Sequence, residues 1–170
     1  MKPFVKYALL GSALSIVWTL IGYIMGNEMQ AKLSLLSSIV MIAISIFCFA
    51  AAIKEEKAAN EGFISFGKAF GTAFKTGLIM AAVGAAFSYL YFEFINTEYV
   101  AFMLDKAQED MANRGMSDEQ IEMAIKMQSK FMSPAMMAGI ALLGGIVINL
   151  IIALIMGAAM KKENPAGEIK

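Results

Sequence analysis

Residues 136–160 read MMAGIALLGGIVINLIIALIMGAAM, twenty-five positions without a single charge. Three more such runs lie upstream, at 7–25, 35–53 and 77–95, and the first acid in any of them is Glu93, near the end of the third. Nineteen residues at 1.5 Å each reach roughly 28 Å, enough to cross a hydrocarbon core. A chain in lipid must satisfy its backbone polar groups within the segment, so each run reads as a helix. The expected architecture is all-α: one integral membrane domain, residues 1–170, crossing the bilayer four times.

The rest of the composition agrees. Apolar residues make up 59% of the chain and charged ones 16%, against about 45–50% and about 25% in soluble domains. Fourteen basic and fourteen acidic residues cancel, so there is no basic footprint for nucleic acid. Histidine is absent and cysteine occurs once, at Cys48. That excludes a disulfide within the chain, zinc sites built from Cys and His, and catalysis through histidine. Lys2 and Lys6 precede the first run as they would in a secretory signal. Its apolar stretch is longer than the usual h-region, and Ile24 stands where cleavage after Gly26 wants a small residue, so a retained span is expected.

Basic residues set the orientation. The N-terminal tail, the connection carrying Lys54, Lys57, Lys68 and Lys75, and the tail with Lys161, Lys162 and Lys170 hold nine. The opposite side, with Lys32, Lys106, Arg114, Lys126 and Lys130, holds five. Both ends are therefore expected on the cytoplasmic side.

Two connections are more than turns. In GFISFGKAFGTAFK (62–75), Phe63, Phe66, Phe70 and Phe74 share one helical stripe, with Ser65, Lys68, Thr72 and Lys75 opposite. This is the pattern of an amphipathic helix in the membrane interface, lysines toward headgroups, leading into the third span. Gly67 and Gly71 beside the stripe would allow a neighbour close. In the third connection, Val100, Leu104, Ala107 and Met111 share a face, Asn113-Arg-Gly115 breaks the helix, and Ser117-Asp-Glu-Gln120 matches a capping box. A second helix through Ile121, Ala124, Ile125, Gln128 and Phe131 completes an extracytoplasmic helical hairpin.

Within the bilayer, spans associate through small residues and a few hydrogen bonds. The fourth span carries Ala141, Gly145, Asn149, Ala153 and Gly157 at intervals of four; the third has Gly77, Ala81 and Ala85, and the first Gly22 and Gly26. Asn149 near mid-membrane reads as a bond to a neighbouring helix, or as the lining of a polar path. Glu93 reads as reaching the interface, with proton coupling the sharper alternative. Eight of the fifteen methionines fall between Met103 and Met137. Thioethers suit Cu(I), but methionine also fills irregular surfaces, and no His or Cys joins the group. No metal site or cofactor is expected.

GFISFGKAF, FINTEY, GMSDEQIEMAIKMQSKFMSPAMM and KKENP, with the opening MKPFVKYALLGSALS and the AIKEEK closing the second span, resemble the bacterial membrane family of domain of unknown function 4199, common in Bacteroidota. The resemblance covers nearly the whole chain and implies a four-span protein of the bacterial inner membrane, with no activity to carry onto particular residues. KEEKAANEG (54–62) lacks the arginine-containing stretch often found there.

The functional expectation is a non-enzymatic membrane protein, its partners the lipid bilayer and either a second copy of itself or an envelope complex, engaged by helix packing through Gly145, Asn149, Ala153 and Gly157. The alternative class is a small-solute carrier or channel component, with Ser45, Thr76, Ser88 and Asn149 as polar lining. A membrane enzyme would need converging polar groups, and Asn60, Glu61 and Lys68 are too few.

Overall fold

The computed structural model describes residues 1–163. Lys170 and the last two residues of the KKENP motif lie outside the described residues. The chain runs α1 (Pro3–Ile24), α2 (Asn27–Lys32), α3 (Ser34–Ala58), α4 (Phe66–Leu90), α5 (Tyr99–Asn113), α6 (Asp118–Phe131) and α7 (Pro134–Met160), and α4 continues through a π turn, Tyr91–Ile95. Four helices are long and apolar enough to cross a membrane: Pro3–Ile24, Ser34–Ala58, Phe66–Ile95 and Pro134–Met160.

Local chemistry sets the ends. Pro3 and Pro134 stand in the first turns of α1 and α7, where proline's missing N–H costs nothing. Ser65, Ser117 and Ser133 cap α4, α6 and α7 through their hydroxyls, and Gln120 returns the bond to the Ser117 N–H at 3.1 Å. The hairpin turns at Gly115, whose φ of +76° is open to glycine without strain.

One expectation changes. The phenylalanine segment is not a separate helix ahead of the third span: α4 starts at Phe66 and runs unbroken into the bilayer-length stretch. Nothing between Ser65 and Gly77 forces a break, and the apolar residues on the inward side (Ala69, Ala73) continue the face buried further along. Phe63 lies before the helix.

α4 is the central helix and packs on α1, α3 and most extensively α7. The buried core is lopsided. Ala8, Cys48, Phe49, Ile53, Ala69, Ala73 and Ala153 cluster toward the end where α1 and α4 begin and α3 and α7 finish. In the other half, α1 has no buried residue after Ser12, α3 none before Ser45 and α7 none before Asn149. The bundle is closed at one end and spread at the other.

Polar contacts fasten both ends. At the closed end Glu55 accepts from Lys6 Nζ (2.7 Å) and the Tyr7 hydroxyl (2.9 Å), Lys57 Nζ reaches the Met160 carbonyl (3.1 Å), and Ile64 and Lys162 exchange backbone bonds at 2.9 and 2.8 Å. Lys162, just past α7, thus lies beside the α3–α4 connection. At the spread end the Asn96 amide donates to Asn27 Oδ1 and to the Tyr91 hydroxyl, both at 2.9 Å, and that hydroxyl donates to Gln30 Oε1 at 3.1 Å. Tyr23, Tyr91, Phe92, Tyr99 and Phe102 form a chain of ring contacts there, where aromatic residues favour a membrane–water boundary. Burial pushes the Tyr99 phenol above its ordinary value, with nearby Tyr91 adding in the same direction.

Candidate functional site

The spread half encloses a cleft of about 630 Å³ to which all four spans contribute. α1 presents Ser12, Ser15 and Thr19, at i, i+3 and i+7 of an apolar helix; α3 presents Ser37, Ser38 and Ser45; α4 presents Ser88; α7 presents Asn149. Gln30 and Tyr91 line the end nearer the aromatic chain. The remaining walls are apolar, among them Ile16, Met41, Phe87, Phe92 and Ile148, and among the described residues no charged side chain lines the cleft. Ile42 and Ile148 both line it and are exposed, marking where it meets the lipid-facing surface.

Half of these ten polar side chains, Thr19, Gln30, Ser38, Tyr91 and Asn149, have hydrogen-bond partners. Thr19 and Ser38 donate to carbonyls four residues back, each at 3.0 Å. The Asn149 amide donates to the Gly77 carbonyl on α4 at 3.0 Å. Tyr91 reaches the cleft through the π turn: Asn96 N–H bonds to the Tyr91 carbonyl at 2.7 Å, five residues back, and the Tyr91 ring is left 1% exposed. Such turns inside longer helices are common at functional sites. Among the described residues Ser12 is the one whose side-chain oxygen is itself buried with no hydrogen-bond partner, the residue being 5% exposed. A buried, unpaired hydroxyl is costly in a low-dielectric setting.

Of the polar residues the sequence offered as lining, Ser45, Ser88 and Asn149 border the cleft. Thr76 does not; it is fully buried and donates to the Thr72 carbonyl at 2.9 Å. Ser12, Ser15, Thr19, Ser37, Ser38 and Gln30 were missed, although hydroxyls repeating at helical spacing in an apolar span were a usable signal.

The small residues of α7 meet α4 within the chain. A Cβ on Gly157 would lie 3.0 Å from the N, Cα and Cβ atoms of Phe70, and one on Gly145 would lie 3.3 Å from Ala81 Cβ. Ala153 is fully buried. Gly77 faces Asn149 and Phe49 so closely that its own Cβ would be 2.6 and 2.7 Å from them. In the phenylalanine segment, Phe66, Phe70 and Phe74 stack at 6.0 and 5.7 Å, and Phe70 and Phe74 pack on the core. Lys68 pairs with Glu56 at 3.3 Å, Lys75 lies over the Phe4 ring at 5.7 Å, and Lys162 lies over Phe63 at 5.3 Å. Gly67 and Gly71 face open space rather than a helix of this chain. On the hairpin, α5 and α6 contact each other while Met123, Met127 and Phe131 form an exposed stripe. Glu93 is exposed in the π turn.

Four bilayer-length helices around an uncharged, hydroxyl-lined cleft define the class: a multi-span helical membrane protein with an internal cavity among its spans. The family is also clear. The chain belongs to the family described as "Protein of unknown function (DUF4199)", whose model matches residues 6–162. No curated protein and no solved structure matches it.

Proposed function

We propose that this is a non-enzymatic protein of the bacterial inner membrane, its lysine-rich closed end on the cytoplasmic side, that takes a small uncharged molecule into the cleft among its four spans. The observation carrying this reading is the unpaired, buried Ser12 hydroxyl, in a cleft it shares with Ser45 and Asn149 and whose described lining carries no charge. About 630 Å³ lies within the usual range of about 300–1,000 Å³ for small-molecule sites, which are mainly apolar with a few placed polar groups. A charged solute would enter without a counter-ion, at high cost in lipid. A ligand with one hydroxyl or carbonyl and an apolar body satisfies Ser12 and fills the walls. This favours the carrier class over self-association, because Gly145, Ala153 and Gly157 are occupied by α4. The exposed stripe of Met123, Met127 and Phe131 supports a second reading, contact of the hairpin with an envelope partner.

The test is to isolate the protein from its own membranes into nanodiscs and extract bound molecules for mass spectrometry. A stoichiometric neutral compound present in the wild type and absent from Ser12→Leu with Ser88→Leu is expected. Identical extracts from the two, with both folded, would sink the proposal.

A further inference from the structure

The cleft among the spans has a floor, an end and a side, and each is built differently. The floor lies where the bundle closes: Ser12 is the last buried residue of α1, Ser45 the first of α3 and Asn149 the first of α7, and all three line the cleft. The Asn149 amide donates to the Gly77 carbonyl and leaves its Oδ1 as an acceptor, while the unpartnered Ser12 hydroxyl is able to donate or accept.

The end toward the aromatic chain is shut. Asn96 and Tyr91, 3% and 1% exposed, bond to each other and to Asn27 and Gln30, and so tie α2 to the end of the third span. Gln30 also lies against α1, since a Cβ on Gly22 would be 3.7 Å from its Cγ. The side between α3 and α7 is open. Neither helix buries a residue in that half, and Ser38 and Ile42 on α3 and Ala141, Gly144 and Ile148 on α7 line the cleft yet are exposed. On α1, by contrast, Ser12, Ser15, Ile16 and Thr19 line it and none is exposed. Both helices flanking the window are of bilayer length, so it opens on hydrocarbon rather than on water.

We propose that the cleft is loaded sideways from the bilayer, through the window between α3 and α7, by a long-chain lipid alcohol whose hydroxyl reaches the floor. The assignment rests on the reading of the cleft as a site for a small uncharged molecule, and adds to it a head group and a route. A hydroxyl donates to Asn149 Oδ1 and accepts from Ser12 at once, whereas a carbonyl only accepts and leaves Asn149 unmet. A molecule arriving from water meets the bonded Asn27, Gln30, Tyr91 and Asn96 at the shut end. One dissolved in the bilayer meets the open side, and its chain trails past Ile42 and Ile148 into lipid.

The experiment photolabels the full chain in phosphatidylcholine nanodiscs with three probes: hexadecanol carrying a diazirine near its hydroxyl, a methyl ketone of matched chain length with the same group, and a diazirine-bearing butanol in large molar excess. Mass spectrometry of the peptides carrying Ser12, Ser45 and Asn149 reads the floor. Hexadecanol should label it, plain hexadecanol should compete, and the ketone and butanol should label it far less. Gly144 is exposed in the window and a Cβ there meets nothing within 4 Å. Gly144→Phe should therefore narrow the window and lower floor labelling about tenfold, the order expected when one side chain's worth of apolar contact is lost. Gly139→Phe, exposed on the same helix but outside the cleft lining, should label as the wild type does; matching circular dichroism shows that both variants fold. Equal floor labelling by the ketone or the butanol, or a folded Gly144→Phe that labels like the wild type, would overturn the head group or the route and leave the cleft standing as a site for a neutral molecule. Floor labelling by none of the probes would overturn both.

Discussion

Gly157→Ala should destabilise the bundle, although in a helix alanine is intrinsically the better residue. The added methyl would sit 3.0 Å from Phe70 N, Cα and Cβ, while carbon atoms pack best at roughly 3.5–4.0 Å. Two of those three atoms are main chain, so no side-chain rotation relieves the contact and α7 must move away from α4 by about half an ångström. Overpacking of this kind costs about 1–3 kcal/mol, set against a helix gain of about 0.5–1 kcal/mol for replacing glycine. The net expectation is a loss of about 0.5–2 kcal/mol. Gly144→Ala supplies the reference, since a Cβ there meets nothing within 4 Å and only the helix gain remains. Gly145→Ala, at 3.3 Å from Ala81 Cβ, should fall between the two. Gly11→Ala should cost less than contacts of 2.7–2.9 Å imply, because two of them are to the flexible end of Met80, which can swing into the cleft it borders, leaving buried Cys48 Sγ as the one atom the core must displace. Reversible unfolding in mixed micelles, followed by circular dichroism, measures all four. Gly157→Ala as stable as Gly144→Ala would refute the close α4–α7 contact and, with it, the account of why the bundle is closed at that end.

Two further outcomes bear on the hairpin and on orientation. Ser117→Ala removes the hydroxyl that accepts from Gln120 N–H and should cost α6 about 1 kcal/mol, read as faster hydrogen exchange over Asp118–Ile121; unchanged exchange would mean that contact with α5 alone holds the helix. For orientation, Glu119→Cys should react with a membrane-impermeant thiol reagent applied outside intact cells and Ala59→Cys should not; native Cys48 is fully buried and stays silent. The reverse pattern would invert the membrane orientation and move the cleft to the cytoplasmic leaflet.

The four bilayer-length apolar helices and the capping box of α6 were legible in the residues because each depends on local terms. A run of apolar residues is bilayer-compatible wherever it lies in the chain, and Ser117 caps Gln120 whatever surrounds them. The continuity of the third span with the segment before it was not legible, for the same reason. Lys68 and Lys75 read as the polar face of an interfacial helix, whereas pairing with Glu56, contact with Phe4 and the inward packing of Ala69, Thr72 and Ala73 let one helix run through. Asn149 could be recognised as needing a partner, but the Gly77 carbonyl lies 72 residues away in sequence. The cleft was the least legible feature. Its serines are ordinary residues in apolar helices, able to bond their own backbone, and they line one cavity only because α1, α3 and α7 bury no residue past Ser12, Ser45 and Asn149. Whether helices meet or part is decided by which surfaces fit at the crossing, as Gly157 fits Phe70, and that fit exists only once distant segments are brought together.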